Sequence, residues 1–141
     1  MKWPSWIRDA QANRQQHEQR TRRAAALRGV KLVCARNLWD TLDLWQISSG
    51  HRPSEWVRPE SVLRSGHDLV EVPLSGANVA ALLQLTRRRI ADTRQPEQQA
   101  MANRVYDQIA QAVDAVDADA DPDAVLPPIV LDDELSGAAV G

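Results

Sequence analysis

Residues 68–116 read DLVEVPLSGANVAALLQLTRRRIADTRQPEQQAMANRVYDQIAQAVDAV, and this stretch decides the fold. Its opening alternates, with Val70 and Val72 flanking Glu71, which predicts a strand over residues 68–74. Pro73 has no amide proton to give to a ladder, so the strand is expected at a sheet edge or to end there. Ser75 can then cap a helix whose apolar residues Val79, Leu82, Leu83 and Ile90 fall at helical spacing. Arg87, Arg88 and Arg89 near its C-terminus suit the helix dipole, a placement worth about 0.3–1 kcal/mol. Pro96 is suited to the first position of a second helix, in which Met101, Val105, Ile109, Ala112, Val113 and Val116 recur at spacings of three and four. The two form an antiparallel helical hairpin joined near Thr93–Gln95, with Arg87–Arg89 close to Glu97 across the turn. From Asp114 onward the acids oppose the helix dipole, so the second helix is expected to fray near Asp117.

Upstream, residues 31–47 read at 100° per residue place Cys34, Ala35, Leu38, Leu42 and Trp45 on one face. This predicts one amphipathic helix, ended by Ser48, Ser49 and Gly50, on which the hairpin packs. Cys34 on that apolar face reads as a buried thiol rather than a reactive one. Residues 51–67 carry Pro53, Pro59 and Gly66, and the near-repeat of Arg52–Val57 in Arg58–Leu63 predicts two short helical turns, each opened by proline and each pinning an apolar pair. Residues 5–28 lack Pro and Gly and are rich in Gln, Arg and Ala, which predicts a helix. Its middle, Asn13–Arg23, is polar all round and has no stripe to bury.

The fold class that follows is mainly α, with one or two short strands. A basic, polar N-terminal helix over 1–29 precedes a globular helical domain over 30–117, and residues 118–141 form an acidic, largely flexible tail with one apolar island, Val125–Leu131. The island has two readings: a short motif that orders on a partner, or an added sheet edge beside Leu69–Val72 with the acids against the basic head.

The net charge of −2 over 141 residues hides this polarity. Residues 1–36 hold nine basic groups and two acids, whereas residues 106–141 hold nine acids and no Lys or Arg. Two surfaces of opposite sign, or one attraction between them, follow from this division. The chain has no Phe, so Trp39, Trp45 and Trp56 are expected to supply the bulk of a small core. Trp3 and Trp6 are expected to clasp the body or a partner.

Several functions are excluded or left without support. No apolar run approaches the roughly 18 residues of a membrane span, and charge interrupts the N-terminus before a signal peptide can form. The lone Cys34 makes no internal disulfide, so a cytoplasmic location is expected. His17, His51 and His67 have no metal-ligand spacing. Ser49 and His51 lack the strand-turn-helix frame of a nucleophile, and there is no phosphate loop. No catalytic residue, metal, cofactor or small-molecule substrate is therefore assigned. The expected function is a non-enzymatic protein-protein interaction or regulatory protein that binds a partner or itself, with Trp3, Trp6, Ile129, Val130 and Leu131 as contacts. The alternative is a nucleic-acid-binding regulator whose N-terminal helix offers Arg14, Arg20, Arg22, Arg23 and Arg28 to phosphates.

Overall fold

In the computed structural model, residues 31–47 are not a single helix. Their first residues obey a period of two: Val30, Leu32 and Cys34 are buried while Lys31 is exposed, and they form strand β1 (Val30–Ala35). Helix α2 (Arg36–Ser48) begins only after it, burying Trp39, Leu42, Trp45 and Gln46. The helical reading failed here because Leu32 and Cys34 fit a strand as well as a helix, and the backbone partner that decides between them lies far along the chain. The structure describes residues 5–116 and 126–131, with side chains from residue 11 onward.

That partner is β3 (Leu69–Leu74), which pairs antiparallel with β1, placing Leu32 opposite Val72 and Cys34 opposite Val70. A two-residue strand β2 (Leu63–Arg64) pairs on the far side of β3, and β4 (Ile129–Val130) pairs parallel with β1 at Leu32 and Val33. The sheet order is β2-β3-β1-β4, so the described residues contain four strands instead of one or two. β3 lies inside the sheet, yet Pro73 is still tolerated for the expected reason. The carbonyl of Leu69 accepts from Ser65 on the β2 side and that of Asp68 accepts from Arg36 on the β1 side. Alternation therefore turns the Pro73 nitrogen toward β2, which has already ended opposite Val70 and Glu71.

Helix α3 (Gly76–Asp92) follows, its Ser75 hydroxyl accepting from the Asn78 amide, and α4 (Pro96–Asp114) starts after three intervening residues with Pro96 in its first turn. The two helices pack along each other and fill the core with Val79, Leu82, Leu83, Val105, Ile109 and Val113. Burying each such side chain stabilises the fold by about 1.5–3 kcal/mol before entropy is counted. Across the turn Arg89 donates to the Gln98 side chain at 2.8 Å. Of the two proline-led turns, Pro59–Ser61 is a single 3-10 turn, whereas Pro53 only closes a hydrogen-bonded turn to Trp56.

Helix α1 (Ser5–Ala25) lies on α3 and α4. Its polar middle is not solvated all round: His17, Arg20 and Thr21 turn partly inward with Ala24, which is fully buried. The close approach is permitted by Gly76, where a Cβ would stand 2.8 and 2.7 Å from the carbonyl oxygens of Ala24 and Ala25 and would also collide with that of Leu27. The carbonyl end of α1 thus meets the amide end of α3, where their partial charges attract.

Candidate functional site

Two surfaces are built by this architecture. The first is the outer face of the sheet. Because strand side chains alternate, burying Val30, Leu32, Cys34, Val70, Val72, Leu74 and Ile129 under the helices turns their neighbours outward. Register then aligns Leu63, Glu71, Val33 and Val130 in one row across all four strands. Leu63 is 59% exposed, Leu69 36% and Val130 64%. Pro73 is also exposed, beside a Lys31–Glu71 ion pair of 3.0 Å on the two central strands. Among the described residues this outer face carries exposed apolar side chains around one ion pair.

The second surface is an open cleft of about 730 Å³ lined by His17, His51, Arg52, Gln84, Arg87, Arg88 and Ala91. Gln84, Arg87, Arg88 and Ala91 share one face of α3 by their three- and four-residue spacing, and α1 brings His17 beside them. The loop after α2 brings His51 and Arg52, and it is held in place. The Gln46 side chain, fully buried, donates to the His51 carbonyl at 3.3 Å, the Ser49 hydroxyl donates to the Gln46 carbonyl at 2.8 Å, and the His51 amide donates to that hydroxyl at 3.0 Å. Gly50 supplies the positive φ of 76° that the turn requires. Ser49 is thereby a loop-building residue, with its oxygen on the His51 backbone rather than on its ring.

Between α1 and α4, Arg20 grips Asp114 through both carboxylate oxygens at 3.0 and 2.7 Å and donates to the Tyr106 hydroxyl at 3.0 Å. The phenol proton is then free to go to His17 Nδ1, 2.8 Å away. Burial, with the positive charges of Arg87 and Arg20, holds His17 below its ordinary pKa, against a smaller opposing effect of Glu18. The Arg20 hydrogen bond keeps the Asp114 carboxyl below the usual range, and Arg20 is pushed up in return.

The residues expected to bind partners are distributed unevenly. Ile129 and Leu131 are 6% and 3% exposed, taken into the core by the β4 edge, while Val130 points outward on the open sheet face. The island thus adds a strand to its own domain, beside Leu32–Val33 instead of Leu69–Val72. Trp3 lies outside the described residues, and only the backbone of Trp6, in α1, is described. Trp39, Trp45 and Trp56 are buried, with Trp39 stacked on Trp56 at 5.7 Å and Arg89 over Trp45 at 4.6 Å.

Of the arginines assigned to nucleic acid, Arg20 is committed to Asp114 and Tyr106, whereas Arg14, Arg22, Arg23 and Arg28 are exposed. Sequence alone does not mark the cleft residues Arg52, Arg87 and Arg88 for binding, because the run Arg87–Arg89 is equally explained by the dipole of its helix. His67 pairs with Asp68 at 3.3 Å on an exposed turn. Among the described residues no three His, Cys, Asp or Glu side chains gather to hold a metal ion, and no helix is long and apolar enough to cross a membrane. No known protein family, curated protein or solved structure matches the chain, so the chemistry of the two surfaces rests on their own residues.

Proposed function

We propose that the protein is a non-enzymatic interaction module of the cytoplasm that docks through the open face of its sheet, and that the occupant of that face is a second copy of the chain. The observation that carries this reading is the row Leu63–Glu71–Val33–Val130 with Lys31 beside it. A two-fold interface must be complementary to itself. An axis passing between Lys31 and Glu71 sets each of these groups against its opposite on the other copy, while the apolar ends of the row cover one another.

Four strands about 4.8 Å apart and central strands of six residues at about 3.3 Å rise give roughly 300 Å² of projected face per copy. Over both copies this is roughly 600 Å², below the roughly 1,000 Å² that a stable specific interface needs, so a weak, transient association is expected rather than a permanent dimer. In this reading the helical hairpin is the scaffold behind the sheet. Sedimentation velocity over a concentration series to about 100 µM tests the proposal. The wild type shifts from monomer to dimer, and Leu63→Asp/Val130→Asp, which replaces two exposed residues, stays monomeric with unchanged circular dichroism. A wild type that is monomeric throughout contradicts it.

A further inference from the structure

The cleft on the helical side is independent of the sheet face and carries a separate reading. Among the described residues its lining of three arginines, two histidines, a glutamine and an alanine contains no carboxylate. Among the described residues Arg52, Arg87 and Arg88 form no ion pair, although acids are plentiful elsewhere on the chain. Gathering like charges on facing elements raises the potential of the space between them, and an anion placed there relieves the repulsion. The gathering is also structurally specified. α3 presents Arg87 and Arg88 one turn after Gln84, and the Gln46, Ser49 and Gly50 turn fixes His51 and Arg52 opposite them. The third arginine of the run, Arg89, goes instead to Trp45 and Gln98.

We infer that this cleft binds the phosphate backbone of a single-stranded nucleic acid. An open trough of about 730 Å³ fits a passing segment of polymer better than an enclosed metabolite. Being concave, it wraps one flexible strand more closely than the wide, stiff cylinder of a duplex, whose phosphates lie on a convex surface. Among the described residues no aromatic ring other than the two imidazoles lines it, and Trp39, Trp45, Trp56 and Tyr106 are buried, so these offer bases no broad platform to stack on. Contacts are then with phosphates, and binding is indifferent to sequence. The exposed Arg14 of α1, one turn before His17, extends the positive track along the strand.

The test is fluorescence anisotropy of a dye-labelled oligo-dT titrated with the full chain. Three phosphate contacts on a single strand predict a log-log salt slope of about −2, hence roughly a twenty-fold loss of affinity between about 50 and 200 mM salt. Arg87→Ser/Arg88→Ser abolishes most of the binding. Arg22→Ser/Arg23→Ser, which removes the same charge from another part of the surface, leaves it within about three-fold. Arg52→Ser, at an exposed loop position, weakens binding by roughly five-fold and keeps the test valid where the α3 variant does not fold. Absence of binding at low salt overturns the inference, as does equal weakening by the two double variants, which indicates diffuse charge. A duplex of the same length bound as tightly as the single strand overturns the choice of ligand. None of these results bears on self-association through the sheet, so the two readings fail separately.

Discussion

Tyr106 is the residue through which the N-terminal helix is joined to the hairpin. Its hydroxyl accepts from Arg20 and serves His17, so a polar stripe takes the place of the missing hydrophobic one. His17 faces Tyr106 from α4, Arg87 from α3, and Arg20 and Glu18 from its own helix. Because its folded pKa is depressed, the unfolded chain takes up a proton that the folded chain refuses when the pH falls below the ordinary value of 6.5. The contribution to stability is complete above that value and is lost as pH drops from it toward the folded pKa. Urea midpoints are therefore expected to fall between about pH 7 and pH 5, and the His17→Gln variant to lose that part of the slope. Asp114 acts lower: its stabilisation is present above the ordinary carboxyl value of 3.8 and disappears as pH falls below it. Gly76 is a second decisive residue. Gly76→Ala drives a methyl into the carbonyls that end α1, and a loss of about 1–3 kcal/mol is expected in denaturant melts.

At the scale of elements, α3 and α4 were legible in the sequence because long apolar periods leave little room for another reading, and because Ser75 and Pro96 mark their starts. β1 was not, since six residues ending in Cys34–Ala35 satisfy both periods and only pairing with β3 selects one. The docking of α1 was invisible for a different reason. Hydrophobic periodicity cannot register a face held by Arg20, His17 and Tyr106, although the basic and acidic ends of the chain did hint at the Arg20–Asp114 contact. The candidate surfaces were less legible still, because both are assembled from residues distant in sequence: the row Leu63–Glu71–Val33–Val130 exists only through register, and the cleft only through packing of α1 on α3. β4 gives an element-scale prediction. Ile129→Ala empties a buried position and costs about 2–4 kcal/mol, whereas Val130→Ala, 64% exposed one residue later, costs less than about 0.5 kcal/mol. Similar losses in the two variants, measured by urea unfolding, contradict the pairing of β4 with β1.

Among the described residues helices lie on one side of a sheet whose other side is open, and a basic cleft lies among those helices. The polarity of the charge along the chain survives folding only in part, since Arg20 is neutralised by Asp114 while Arg52, Arg87 and Arg88 collect a new positive site from the formally neutral middle. The lack of Phe is met by three buried tryptophans, and of the large apolar side chains left exposed Leu63, Leu69 and Val130 lie on the sheet face while Leu44 and Ile47 lie on α2. Self-association through that face is the central claim, and charge exchange tests it most directly. Lys31→Glu puts two acids at the centre of the face and Glu71→Lys puts two bases there. By sedimentation each variant alone is expected to remain monomeric at concentrations where the wild type dimerises, and an equimolar mixture of the two to dimerise again. A mixture that stays monomeric, or single variants that associate as the wild type does, contradicts the claim.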